Sequence, residues 1–224
     1  MGTNINTFKS SGSSIPPMEP GTYPAVCCAV IDIGMQKTSF EGKERETPQL
    51  ILIWEFPEEQ IEINGEMKPR HLSRTYTASV NEKSRLRADL KSWRGRDFTE
   101  DELADFDIAR VLGAPCIITV TQTSKGGNTY ANMSGVSKLM KGMVVQPPLE
   151  RKHFDMDDEN TWPVFAKLPE WIQDKINESI TFAERNIRLD KEGHVIDRLL
   201  AGGPSPSDDS MGDEVYTPDD DLPF

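Results

Sequence analysis

The last six residues of the sequence combine negative charge and apolar surface in a way that suits capture by another protein. They are Asp219, Asp220, Asp221, Leu222, Pro223 and Phe224. The carboxylates fit a rim of Arg or Lys, and the Phe224 ring fits a shallow apolar pocket, so little chain has to fold on binding. Because residues 199–224 hold seven acidic residues and no Lys or Arg, a merely solubilising tail is the alternative. We predict a partner-binding tip.

A second charged stretch has the opposite sign. Between Glu66 and Arg96, nine Lys or Arg residues accompany three acidic ones, in a chain whose formal net charge is -12. Because a polyanion responds to the local field, a net acidic protein with such a stretch can still bind nucleic acid. A solvated helix face with mixed charges would have the same composition. Both interpretations stay open from the charges alone.

Catalytic and metal chemistry find little support in the residue types and their spacing. The candidate ligands are His71, His153 and His194, and Cys27, Cys28 and Cys116. They form neither a CxxC pair nor a histidine cluster, so we expect reduced thiols in the core, no metal and no cofactor. No phosphate-binding loop or Ser-His-Asp set is present, and the triplets at 41–43 and 66–68 that resemble half a nuclease motif arise easily by chance. We expect no enzymatic activity.

The chain also lacks the signals of a membrane or secreted protein. No apolar run approaches the length that spans a bilayer, and residues 1–20 are rich in Ser, Asn and Pro without a signal-peptide core. We therefore expect no membrane partner and a cytoplasmic location.

Five strand-like segments surround one helical stretch. β-Branched and aromatic residues predict strands over 21–33, 49–56, 71–77, 115–121 and 129–136. Gly34 is expected to end the first strand, and the polar residues 35–46 to form a loop. On the third strand, Leu72, Arg74 and Tyr76 share one face by the period of two.

Capping-box spacings predict helices between the third and fourth strands. Ser79 with Glu82 is expected to open a helix that ends at Gly95, and Thr99 with Glu102 to open a short second one. Trp93 is expected in the core.

The region after residue 146 has a different pattern. Residues 151–163 are acidic and loop-like, and a helix is predicted from Pro169, with Trp171, Ile172, Ile176 and Ile180 along one side. Beyond residue 200, Gly, Pro, Ser and Asp dominate, which predicts a disordered linker that carries the tip.

Three strands, a helical connection and two strands follow the order of the five-stranded OB-fold barrel. An SH3-like or other small barrel would leave little room for residues 79–113. Together with an acidic tail that ends in Asp-Asp-Asp-Leu-Pro-Phe, this layout resembles single-stranded DNA-binding proteins of the bacterial and phage type. The resemblance implies sequence-independent binding and protection of single-stranded DNA in replication, recombination and repair, inside a bacterial cell or a phage-infected host. It also implies a tip that recruits partner proteins.

An OB fold holds a single strand across its second and third strands, between the loops that join strands one to two and four to five. The aromatic candidates for DNA contact in that arrangement are Phe40, Trp54, Phe56, Tyr76 and Tyr130. The cationic candidates are Lys37, Lys43, Arg45, Arg70, Arg74 and Lys125. Trp54 and Phe56 share a face with Leu50 and Leu52, so a place in the barrel core is an equal interpretation for them.

These observations predict a mainly β protein with four regions. They are a flexible arm (1–18), a five-stranded OB-fold barrel with a helical insertion between strands three and four (19–146), a loop and helical extension (147–200), and a disordered acidic tail (201–224). Homo-oligomers are compatible with this organisation. The alternative function is an acidic adaptor or inhibitor that binds a DNA-processing enzyme without binding DNA.

Overall fold

Antiparallel strands make up most of the fold in the computed structural model, which describes residues 15–40, 42–185, 187–190 and 195–197. The main strands are β1 (Gly21–Phe40), β2 (Lys43–Ile63), β3 (Glu66–Thr77), β4 (Pro115–Lys125) and β5 (Asn128–Ser137). They are hydrogen-bonded in the order β3-β2-β1-β4-β5. A short β6 (Lys152–Phe154) pairs in parallel with β1, and β7 (Arg188–Leu189) pairs with β8 (Val195–Asp197). The mainly β prediction is confirmed.

Helices lie between β3 and β4 and after β6, as expected. The first two are α1 (Arg85–Arg94) and α2 (Glu100–Ala104). The later ones are α3 (Trp162–Phe165), α4 (Glu170–Asn177) and α5 (Ile180–Glu184). The prediction of one helix through Ile180 was wrong, because α4 ends at Asn177 and Ser179 caps a new helix by accepting the Phe182 N–H.

The two predicted capping boxes have different outcomes. Thr99 and Glu102 form theirs at the start of α2. Ser79 does not open α1, because its hydroxyl accepts the Asn81 N–H within a turn, and Ser84 caps the helix instead by accepting the Arg87 N–H. A short side-chain hydrogen bond of this kind competes with helix initiation.

The first two strands are much longer than predicted, and they continue into a projecting hairpin. Gly34 does not end β1; its φ of 69° accommodates a bulge between Asp32 and Met35, and β1 then pairs with β2 as far as Phe40 opposite Lys43. The loop expected at 35–46 is therefore an antiparallel ribbon. The sequence did not predict this ribbon, because strand prediction relies on apolar alternation and a solvated ribbon needs no apolar face.

The inner face of the sheet packs against α1. Leu50, Leu52, Trp54 and Phe56 on β2 join Leu90 and Trp93 of α1 in one buried cluster, which we call the inner cluster. Trp93 is core as predicted, and its indole N–H donates to the Pro115 carbonyl oxygen at 2.8 Å.

The outer face of β1 and β2 is covered by the C-terminal helices. Ile51 and Ile53 of β2 pack with Phe154, Trp162 and Ile172 in a second buried group, the outer cluster. The loop prediction for 151–163 was wrong in part, because Phe154 and Trp162 anchor β6 and α3 to the sheet, whereas 155–158 form a turn. Residues 150–185 and 187–189 therefore add a layer to the sheet instead of extending away from it.

Residues 15–18, which were predicted to belong to a flexible arm, contact the folded body. Met18 is buried in the inner cluster, and the carbonyl oxygens of Pro16 and Met18 accept hydrogen bonds from Arg70 and Gln122. Residues 15–18 thus belong to the folded body. The three cysteines are buried and form no disulfide, as expected.

Candidate nucleic-acid interface

Arg74 and Tyr76, two of the predicted DNA-contacting residues, face the inside of the fold. The Asp89 carboxylate on α1 accepts hydrogen bonds from the Arg74 guanidinium and the Tyr76 hydroxyl, both at 2.9 Å, and from Arg85 at 3.0 Å. Arg74 also donates to the Met133 carbonyl oxygen on β5, and Arg85 donates to that of Ser134 at 2.8 Å. These contacts join β3, α1 and β5, and we call them the seam.

The aromatic candidates on β2 and β3 are part of the core. Trp54 and Phe56 are fully buried and Tyr76 is 3% exposed. Burial, reinforced by the Asp89 charge, raises the pKa of Tyr76 above its ordinary value. No face of these three rings is open to a base in this conformation.

Most of the basic stretch is neutralised by ion pairs within the structure. Asp97 pairs with Arg87 and Lys91, and Glu102 pairs with Arg94 and Arg96. Those hydrogen bonds hold the pKa of Glu102 well below its usual range. At the start of the stretch, Lys68 pairs with Glu66, and Arg70 donates to the Pro16 carbonyl oxygen at 2.7 Å. The net charge counted along the sequence thus overstates the positive surface.

The β1–β2 hairpin separates its charges by face. Lys43 and Arg45 alternate with Glu44 and Glu46, so the two cations lie on one side of β2 and the two carboxylates on the other. Thr38 lies opposite Arg45, and its hydroxyl is 3.2 Å from that of Thr47, which places both threonines on the cationic side. Lys37 lies opposite Glu46, on the acidic side.

Exposure of both cations makes this side of the hairpin a candidate contact surface. The side chains of Lys43 and Arg45 are exposed, and Thr38 adds a hydroxyl next to them. Phe40 is opposite Lys43 in the strand register. We call this side, with Lys43, Arg45, Thr38 and Thr47, the cationic face.

The β4–β5 hairpin brings two other candidates to one side. Tyr130 lies opposite Thr123, and Lys125 is two residues further along β4, so both point to the side away from the inner cluster. Asn132 shares that side and donates to the Thr123 hydroxyl at 2.9 Å. Lys125 is exposed and Tyr130 is half-buried, so a lysine and a partly open ring occur together there.

The groove expected across β2 and β3 is partly covered. Ile51 and Ile53 point to the outer side of β2, where α3 and α4 bury them. The neighbouring outer positions of β3 are His71, Ser73 and Thr75. His71 lies 3.3 Å from the buried Glu55 carboxylate. The two projecting hairpins, at opposite ends of β1, are therefore the open parts of the predicted surface.

The tip, Asp219 to Phe224, lies outside the described residues. Within the described ranges, no group of three or more His, Cys, Asp or Glu side chains is placed to hold a metal ion. No helix in the described part of the chain has both the length and the apolar character needed to cross a membrane.

No protein-family model matches the chain, and no curated protein matches it.

Proposed function

We propose that this protein binds single-stranded DNA without sequence preference, on an OB-type barrel whose β3 and β5 edges are joined by the seam. The strand order β3-β2-β1-β4-β5, the helices between β3 and β4, and the approach of β3 to β5 support this fold. In this proposal the chain protects single strands during replication, recombination or repair. It has no catalytic step of its own.

The observation that carries the proposal is the cationic face of the β1–β2 hairpin. Lys43 and Arg45 occupy one side of a projecting ribbon whose acidic residues occupy the other, so a phosphate backbone can lie along it without meeting Glu44 or Glu46. Lys125 adds a third cation on the β4–β5 hairpin, beside Tyr130. Three phosphate contacts on a single strand correspond to a salt slope of about -2 in log K against log salt.

Tyr130 supplies the aromatic contact in this arrangement. Stacking of a base on a tyrosine contributes about 1–3 kcal/mol and tolerates any base, because every base has a π-face. Trp54, Phe56 and Tyr76 are left out of the contact surface because their rings are buried. The DNA-contacting set that we propose is therefore Lys43, Arg45, Lys125 and Tyr130, and Arg70 and Arg74 have structural roles.

The test measures the anisotropy of a labelled oligo-dT and of a matched duplex across a salt series, with the full chain. We expect preference for the single strand, and a salt slope whose magnitude falls by about 0.7 in Lys43→Ala. Lys37→Ala is the matched control, since it removes the same charge from the same hairpin on the acidic side. Equal effects of the two substitutions, or no binding at low salt, would contradict the proposal.

A protein-binding adaptor is the second candidate, and the ion pairs of Asp97 and Glu102 favour it because they reduce the free positive charge. In both functions the tip would recruit partner proteins through Leu222, Phe224 and the aspartates. Capture of DNA-processing enzymes by the full chain, lost in Phe224→Ala, would support that role. Capture without any binding of oligo-dT would favour the adaptor.

A further inference from the structure

The outward side of the β4–β5 hairpin carries an amide whose orientation is fixed. Asn132 shares this side with Tyr130, and its amide nitrogen donates to the Thr123 hydroxyl at 2.9 Å and to the Tyr130 carbonyl oxygen at 3.1 Å. A carbonyl oxygen accepts and never donates, so the amide atom in contact with it is the nitrogen. The two contacts use both hydrogens of the amide, which therefore loses both if it turns over.

The remaining atom of this amide is an acceptor that is open to a ligand. Among the described residues no donor reaches the Asn132 Oδ1, and this oxygen is not buried. The half-buried Tyr130 is two residues away on the same strand, so the two side chains are about 7 Å apart on one face. The edge of a base that stacks on the Tyr130 ring therefore comes within reach of an oxygen that can only accept.

A fixed acceptor discriminates between bases that differ in their donors. Cytosine carries an amino group at position 4, whereas thymine and uracil carry a carbonyl oxygen there. The amino group can donate to the Asn132 Oδ1, but O4 would face it oxygen to oxygen. The neighbouring Thr123 hydroxyl does not reverse this difference, because both kinds of pyrimidine carry acceptors to which a hydroxyl can donate.

We propose that Asn132 gives the stacking position on Tyr130 a preference for bases with an exocyclic amino group, and so for cytosine over thymine or uracil. The inference rests on the proposed function, since it concerns the base that Tyr130 contacts. Every base can still stack there, so the preference is graded. One neutral hydrogen bond corresponds to a preference of about two- to tenfold.

Asn128 is a matched comparison on the same face of the hairpin. It lies opposite Lys125 and is two residues from Tyr130 in the other direction. Its exposed amide has no hydrogen bond to any residue in the described part of the chain. An amide of this kind can turn to offer either its oxygen or its nitrogen, so it serves both kinds of pyrimidine equally.

The test compares the affinities of the full chain for labelled oligo-dC and oligo-dU of equal length, by anisotropy above neutral pH, where cytosine is uncharged. The two strands carry the same phosphate charge, and their intrinsic differences in stacking and flexibility cancel when variants are compared. We expect the native chain to favour oligo-dC. The ratio of the two affinities should fall by about two- to tenfold in Asn132→Ala and stay unchanged in Asn128→Ala.

A second variant separates the acceptor role of Asn132 from a role in the shape of the hairpin. Thr123→Val keeps the amide but removes the hydroxyl oxygen that helps to fix it. The amide hydrogen released in this way can donate to O4 of uracil, so the affinity for oligo-dU should rise relative to oligo-dC. A hairpin that has only lost its shape would instead bind both strands less well, with the ratio unchanged.

Three results would overturn the inference. Binding of both strands with the same ratio in Asn132→Ala as in the native chain would overturn it and leave the proposed function standing. An equal fall of the ratio in Asn128→Ala would show that the fixed orientation of Asn132 does not matter. Absence of binding to either strand by the native chain would overturn both this inference and the proposed function.

Discussion

Replacing Asp89 by Asn should weaken the seam more than any exposed charge substitution. The Asp89 side chain is 10% exposed and receives hydrogen bonds from Arg74, Tyr76 and Arg85. Asn keeps one oxygen acceptor but removes the charge, which leaves the Arg74 guanidinium, 19% exposed, without its counter-ion. Breaking a buried pair from one side costs about 3–5 kcal/mol.

Partial exposure and the remaining acceptor reduce this cost. Arg85 is 57% exposed, so its pair with Asp89 contributes less than about 1 kcal/mol. Arg74 retains its hydrogen bond to the Met133 carbonyl oxygen. We therefore expect Asp89→Asn to lower the free energy of unfolding by about 2–4 kcal/mol, with Tyr76→Phe costing about 1 kcal/mol for one hydrogen bond.

Urea unfolding followed by circular dichroism measures these differences, with Arg85→Ala as the control for an exposed partner. A loss below about 1 kcal/mol in Asp89→Asn, or an equal loss in Arg85→Ala, would refute the description of the seam as a buried charge network. Binding of oligo-dT by folded Arg74→Met should equal that of the native chain. Reduced affinity there would return Arg74 to the DNA-contacting set.

Three further predictions concern other parts of the fold. Gly34→Ala should destabilise the protein by about 1–3 kcal/mol in urea unfolding, since a Cβ would lie 2.8 Å from the Met156 sulfur at a φ of 69°; a neutral result would be inconsistent with the close approach of Met156 to the bulge. Burial raises the pKa of Cys28 to about 12, so the native protein should not react with a thiol reagent at pH 8, whereas unfolded protein should; rapid native labelling would disagree with the core. The depressed pKa of Glu102 means that its contribution to stability is present above the unfolded pKa, about 4.3, and is lost as the pH falls through the lower folded value. Glu102→Gln should therefore flatten the acid side of a stability–pH curve, and an unchanged curve would argue against the Arg94 pair.

Much of the fold could be predicted from the sequence because apolar patterns reveal buried strands. β2 and β4 carry β-branched residues in their central parts, and the strand order around the helical insertion agrees with the prediction. The layer formed by β6 and the C-terminal helices was harder to predict, since the aromatic residues Phe154 and Trp162 are separated by acidic residues that suggest a loop.

The candidate site was harder to predict. The alternation of residues along a strand shows which side chains share a face, but it does not show which face points to the core. Leu72, Arg74 and Tyr76 were expected to share a face, and that face points to the inner cluster, where Asp89 from a later helix provides the counter-charge. For the β1–β2 hairpin the strand itself was not predicted. Alternation places Lys43 and Glu44 on different faces, but only when the segment is known to be a strand.

The seam also has a consequence for how this sheet meets other molecules. The carbonyl oxygens of Met133 and Ser134 lie on β5, a strand at the end of the hydrogen-bonded order, and the guanidinium groups of Arg74 and Arg85 occupy them. An unprotected edge strand is a template for a strand from another molecule. At these two positions the carbonyl oxygens already accept hydrogen bonds from charged side chains of the same chain, so an added strand would have to displace Arg74 and Arg85 to pair there.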